Sequence, residues 1–155
     1  VDSHAAIPFT THGIESVWGN VLKTDDGDTL ITLQETGGIS TGMLYCHTGG
    51  WRTPGHCNAS RTTLQLIGGP HPTIAIWDRD QLEPRRFWLE RHEQAVIPPR
   101  TLYSLYASPD TKFIITRVPR EPVHGRRDWI SADGRFKDQL REQLEPLTAM
   151  VSSIR

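Results

Sequence analysis

Apolar and polar residues alternate along most of this chain with a period of two, in short runs closed by Gly, Pro and Asp. Val17 to Leu22 runs into the turn Lys23-Thr24-Asp25-Asp26-Gly27-Asp28, whose Asp-Gly step has hairpin chemistry. Further runs cover Thr29 to Gln34, Gly42 to His47, Thr62 to Ile67, Thr73 to Trp77, Arg86 to Leu89, Gln94 to Ile97, Leu102 to Ala107 and Lys112 to Val118. Strands at this spacing, rich in β-branched and aromatic residues, predict an all-β fold: an antiparallel sandwich or barrel over residues 17–118. Residues 1–16 read as an N-terminal arm, and 119–155 as a linker and a helix. In that last segment Phe136, Leu140, Leu144, Leu147, Val151 and Ile154 fall at helical spacing. Asp133 is a candidate cap, and Pro146 interrupts the pattern. The apolar stripe of this helix calls for burial against its own barrel or a second subunit.

The bulk properties narrow the function classes. A chain of 155 residues suits one domain with a real core. A net charge of -1 carries no electrostatic footprint for nucleic acid. The late basic residues Arg117, Arg120, Arg126 and Arg127 read as a solvated surface segment, with an anion-binding patch as the alternative. No apolar run nears the roughly 20 residues needed to cross a bilayer, and the N-terminal residues show no charged-then-apolar leader pattern, so the expected location is the cytoplasm, away from membranes. Cys46 and Cys57 are too few for a disulfide scaffold; reduced thiols are expected, with pairing across neighbouring strands left open. Phosphate-loop and nucleophile-elbow motifs are missing.

Two segments carry the chemistry: Gly50 to Gly69, containing His56-Cys57-Asn58 and Arg61-Thr62, and Val96 to Leu105, containing Pro98-Pro99-Arg100 and Tyr103. Together they resemble the two short motifs of the cupin superfamily. The first family motif is a Gly, five residues, His-x-His, three or four residues, Glu, six residues, Gly; here Gly50, His56, Asn58, Thr62 and Gly69 take those places. The second is Pro-x-Gly-x-x-His, and Pro98, Arg100 and Tyr103 stand at its marked positions. The resemblance implies a cupin-type antiparallel β-barrel, or jelly roll, with a C-terminal α-helix, and pairing into a homodimer. It covers roughly two thirds of the chain. Family members hold a metal with three imidazoles and one carboxylate. Asn58, Thr62 and Tyr103 at three of those four places are poor ligands for iron, zinc or nickel, so no metal and no other cofactor are expected.

A pocket with one His and one Tyr remains useful for proton transfer. By resemblance to cupin-like sugar epimerases, His56 would act as base and Tyr103 as acid on a small carbonyl-containing metabolite. Isomerisation, cyclisation, epimerisation and dehydration all fit. Asn58 would orient a carbonyl or hydroxyl, Arg61 or Arg100 would hold an anionic group, and Thr62, Tyr45 and Trp51 complete the expected substrate contacts. Tyr45 shares a strand face with Met43 and His47 and is read as inward; Trp51 is read as lining the pocket mouth. The structural alternatives stand beside these readings: His56 as a satisfied polar residue of the wall, Tyr103 as core with its hydroxyl at the rim, and the tryptophans as core or dimer contacts. Two other function classes stay open, a non-catalytic barrel that binds a small molecule and a divergent metal-dependent oxygenase or lyase.

Overall fold

In each period-two run the apolar side sets which face turns to the core, and the pairing register follows from it. The computed structural model describes residues 8–11, 14–17, 21–36, 38–78, 83–120, 128–132, 138 and 142–144. Its strands are β1 (Pro8–Thr11), β2 (Ile14–Val17), β3 (Val21–Lys23), β4 (Thr29–Thr36), β5 (Ile39–Cys46), β6 (Gly50–Trp51) and β7 (Gly55–Cys57). There follow β8 (Ser60–Gly68), β9 (Thr73–Trp77), β10 (Arg85–Trp88), β11 (Gln94–Ile97), β12 (Leu102–Ala107), β13 (Thr111–Pro119) and β14 (Trp129–Ser131). β1 and β2 form a hairpin. One six-stranded sheet has the order β11-β8-β13-β5-β4-β3; the other runs β10-β9-β12-β7-β14, with β6 also paired to β12. Every pairing is antiparallel.

The two sheets share one core. Leu44 and Cys46 of β5, Leu64 and Leu66 of β8, and Phe113 and Ile115 of β13 meet Ile74 and Ile76 of β9 and Tyr103 and Leu105 of β12. A fully buried side chain such as Leu64, Leu66, Ile74 or Phe113 contributes about 1.5–3 kcal/mol by leaving water. β9 is buried on both faces. Its outward residues Ala75 and Trp77 are covered by Leu144 of the C-terminal helix, and Trp77 Nε1 donates to Gln143 Oε1 at 2.9 Å. The apolar stripe of the tail therefore packs on its own barrel at Leu144. Phe136, Leu140, Pro146, Leu147, Val151 and Ile154, with the capping position Asp133, lie outside the described residues.

A buried ion pair closes one end of the barrel. Arg52 donates from Nε and Nη2 to both carboxylate oxygens of Asp28, at 2.9 and 2.8 Å, and to the carbonyls of Gly50 and Thr48 at 2.7 Å. Asp26 beside it accepts from the backbone N and the hydroxyl of Thr53. These bonds pin the β3–β4 turn to the segment after β6. Both cysteines are free and buried.

Two sequence-based expectations need correction here. The sequence predicts linker and helix over 119–155, yet Trp129–Ser131 forms β14 and pairs with β7. Tyr45 points out of the barrel, not in, because Gly42, Leu44 and Cys46 take the buried side of β5. On that outer face the Tyr45 hydroxyl donates to Asp110 Oδ1 at 2.7 Å, Lys112 Nζ lies 5.1 Å over its ring, and His47 packs at 4.5 Å.

Candidate functional site

The β7–β12 register decides where the expected acid and base go. Tyr103 is the partner of Gly55, so position 55 and Tyr103 share a face of the sheet, the face toward the core. Gly55 and Cys57 are buried, and His56 between them is not. Successive side chains alternate, so His56 leaves by the outer face. His56 and Tyr103 therefore do not form the common proton-transfer pocket expected from sequence.

The reason is a register slip of one residue. Gly49 and Gly50 are adjacent, and counting from Gly49 keeps the family spacing with four residues before Thr62 instead of three. The positions that hold ligands in the family then become Gly55, Cys57, Thr62 and Tyr103. The fold brings these four together: Gly55 pairs with Tyr103, and Thr62 Oγ1 donates to Cys57 Sγ at 3.6 Å. Arg100 takes the Gly place of the second motif, and its φ of 60° is the left-handed conformation that favours glycine.

What surrounds these four positions is packed, not open. Trp129 from β14 sits edge-on to Tyr103, with ring centroids 5.4 Å apart. Its indole fills the space where a side chain at position 55 would stand, since a Cβ there would meet Trp129 Cζ2 at 2.3 Å. Arg117, opposite Thr62 on β13, lays its guanidinium 5.1 Å over the same indole, and its buried Nε has no hydrogen-bond partner among the described residues. Asp128 accepts from the backbone N of Ala59 and Ser60 at 2.8 and 2.9 Å, closing the β7–β8 turn. Burial raises the Tyr103 phenol above its ordinary value, against a smaller opposing pull from Arg117. Burial likewise raises the Cys57 thiol, again against Arg117. Burial pushes the Asp128 carboxyl up, but its bonds from Ser60 and Ala59 and the charge of Arg117 outweigh that and hold it low.

This donor set does not fit a metal ion. Position 55 offers no side chain, Thr62 and Tyr103 offer neutral hydroxyls, and the Cys57 thiol is held protonated. The indole of Trp129 fills the space beside position 55. Among the described residues no three His, Cys, Asp or Glu side chains converge.

A concave surface lies elsewhere, at turns and strand ends. A half-open cleft of about 570 Å³ runs between the β7–β8 turn, the end of β9 and the β11–β12 turn. Asn58 and Ala59, Trp77 and Asp78, Pro98 to Thr101, and Arg120 line it. Two backbone bonds frame it: Arg100 N donates to Cys57 O at 2.7 Å, and Arg120 N to Ala59 O at 3.0 Å. Asp78 is bound by Arg85 at 2.5 and 3.1 Å, and that bond lowers its pKa. His56 Nε2 lies 3.1 Å from Asn58 Oδ1, which brings it to the cleft through its neighbour.

The sequence-predicted residues thus separate. Asn58 and Arg100 line the cleft; Thr62 and Tyr103 face the interior; Tyr45 lies outside the other sheet. Trp51 is no pocket mouth: it packs on the outer cluster of Ala75, Trp77, Leu102 and Leu144, with Tyr106 at 5.2 Å. Arg61 is exposed opposite Val118 and is not among the residues of the cleft. Sequence reasoning missed Gly55, Cys57 and Trp129 on the core side, Asp128 at the β7–β8 turn and Asp78 in the cleft, while Arg117 and Arg120 entered only in the late basic run with its anion-binding alternative. The doubled glycine at 49–50 and the late basic run were the signals available for them.

No protein-family model matches the chain, and no curated protein matches it in sequence. Solved structures do resemble it. KdgF from Halomonas sp. superposes with a TM-score of 0.53 at 18% identity, over 66% of this chain and 89% of that one. Oxalate decarboxylase from Lactobacillus farciminis, in its formate complex, gives 0.55 at 18%, over 73% of this chain and 33% of that one. HEPD from Streptomyces albus, with 2-hydroxyethylphosphonate and Fe(II) bound, gives 0.57 at 15%, over 73% and 28% respectively. The chain thus spans about a third of the latter two. These are cupin-fold proteins, enzymes among them, and the architecture of this chain is the cupin fold; its described residues are nearly all antiparallel β-sheet, with a short helix. Among the described residues no helix is long and apolar enough to cross a membrane.

Proposed function

We propose that this chain is a cupin-fold module that binds a small molecule in the outer cleft, without an acid–base reaction carried by His56 and Tyr103. The observation that carries this reading is the register of Tyr103 against Gly55, which sends His56 to the opposite face of the sheet. A shared base and acid would each have to reach one substrate, and a sheet separates them. The packing of the half-buried Trp129 against Gly55 and Tyr103 supports the same reading, because a ligand at that spot would first have to displace an indole. The cleft has a size usual for small-molecule sites. Its walls mix apolar Trp77, Pro98 and Pro99 with polar Asn58 and Thr101.

The test is a fragment panel screened by thermal shift and confirmed by calorimetry. Hits keep their affinity in His56→Ala and Tyr103→Phe and lose it in Ala59→Trp, which fills the cleft from its wall. Loss of binding in Tyr103→Phe with Ala59→Trp unaffected, or turnover that depends on His56, would overturn the reading. Pairing of two copies belongs to the same proposal and is read by sedimentation equilibrium, where a lone monomer would remove it.

A further inference from the structure

The charges around the cleft are unequal, and they say what kind of ligand it takes. Arg100 and Arg120 both line it, and neither guanidinium has a partner among the described residues. The backbones of the two are fixed by carbonyls two residues apart on a single turn, Cys57 O and Ala59 O. The carboxylate in the cleft, Asp78, has its charge offset by a two-point contact with Arg85. Among the described residues, positive charge is therefore left over on the cleft wall. The residue at position 100 is also kept in a left-handed conformation, φ 60°, that glycine adopts without strain. Among the described residues His92 and Asp110 share this conformation, and of the three Arg100 is the one that lines the cleft.

We infer that the cleft holds a small organic anion, a carboxylate or phosphate group on a compact apolar body, between Arg100 and Arg120. The planar guanidinium fork matches both head groups, while Pro98, Pro99 and Trp77 offer apolar wall to the body. This inference rests on the cleft being the binding site.

Calorimetric titration of the full chain with benzoate, phenyl phosphate and neutral benzamide tests it. Binding of benzoate or phenyl phosphate is expected, and which of the two binds tighter identifies the head group. Benzamide should bind at least about tenfold more weakly, since it forgoes the charge-assisted bonds. Arg100→Gly should weaken the anion by about tenfold while raising Tm by about 2 °C, because strain and affinity sit in the same side chain. Arg120→Gln should weaken the anion to a similar degree. Equal binding of all three probes, unchanged by Arg100→Gly and Arg120→Gln but abolished by Ala59→Trp, would overturn the anion and leave the cleft standing. Binding that survives Ala59→Trp would overturn both. No binding of any probe at millimolar concentration would overturn the anion.

Discussion

Replacing Gly55 with Ala puts one methyl group where the indole of Trp129 already is. The added Cβ would lie 2.3 Å from Trp129 Cζ2, 2.8 Å from Cε2 and 2.7 Å from the Ile130 carbonyl oxygen. Carbon atoms in contact sit about 3.5–4.0 Å apart, so the overlap exceeds about 1 Å and a shift of a few tenths does not relieve it. Gly55 is paired to both Tyr103 and Ser131, which ties its backbone on both sides. If the structure strains around the methyl, overpacking costs about 1–3 kcal/mol. If the indole is expelled instead, it loses its edge contact with Tyr103, about 0.5–1.5 kcal/mol, and its cation contact with Arg117, about 0.5–1 kcal/mol. Either route places Gly55→Ala near about 2 kcal/mol of destabilisation. Urea unfolding followed by circular dichroism measures it. In a Trp129→Ala background the overlap with the indole is gone and the 2.7 Å approach to the Ile130 carbonyl oxygen remains, so the same substitution should cost clearly less, about 1 kcal/mol. A coupling energy of about 1 kcal/mol between the sites is therefore expected. A cost below about 0.5 kcal/mol for the single change, or an equal cost in both backgrounds, would refute the claim that Trp129 occupies the space of position 55.

Other consequences concern the buried charges and thiols. Asp28→Asn breaks a two-point contact with buried Arg52 and should cost about 3–5 kcal/mol in urea unfolding, by leaving a cation unpaired; an unchanged midpoint would contradict the buried pair. The Asp128 carboxyl is held below its ordinary value, so its contribution is present above the unfolded pKa near 3.8 and is lost as pH falls through the folded one. Asp128→Asn should flatten the acid limb of stability from about pH 4 downward, and an unaltered limb would count against the turn. Burial pushes the Cys46 thiol up from 9.0 to about 12. A raised thiol favours the folded state below its unfolded value, and that contribution fades as pH climbs from 9.0 toward about 12. Cys46→Ala should flatten this alkaline slope, and native Cys46 should resist iodoacetamide at pH near 8 until the chain unfolds. Rapid native alkylation of Cys46 would contradict its burial.

The strands were legible because period-two alternation is a local property of the sequence. Thr73–Trp77, Gln94–Ile97 and Leu102–Ala107 have the boundaries the alternation implies. Faces were less legible. In β5 both sides of the run carry large side chains, Leu44 against Met43 and Tyr45, and only the paired sheet decides which side is buried. The motif had the same ambiguity in sharper form. Gly49 and Gly50 allow two countings, one residue of slip exchanges every side chain across the sheet, and His56 as the family's imidazole made the wrong counting attractive. β14 was not legible, since Trp129-Ile130-Ser131 is too short to show a period and its partner β7 lies some seventy positions earlier. The cleft is assembled from two turns, the end of β9 and the residue after β13, so Arg100 and Arg120 could each be singled out in sequence but not brought together.

The most direct test is a backbone amide titration by two-dimensional NMR, with phenyl phosphate and benzamide added in turn. Shifts centred on Asn58, Ala59, Asp78, Arg100 and Thr101, with Thr62, Tyr103 and Arg117 undisturbed, are the expected result. Shifts centred on Thr62, Tyr103 and Arg117 would place the ligand inside the barrel and contradict the account.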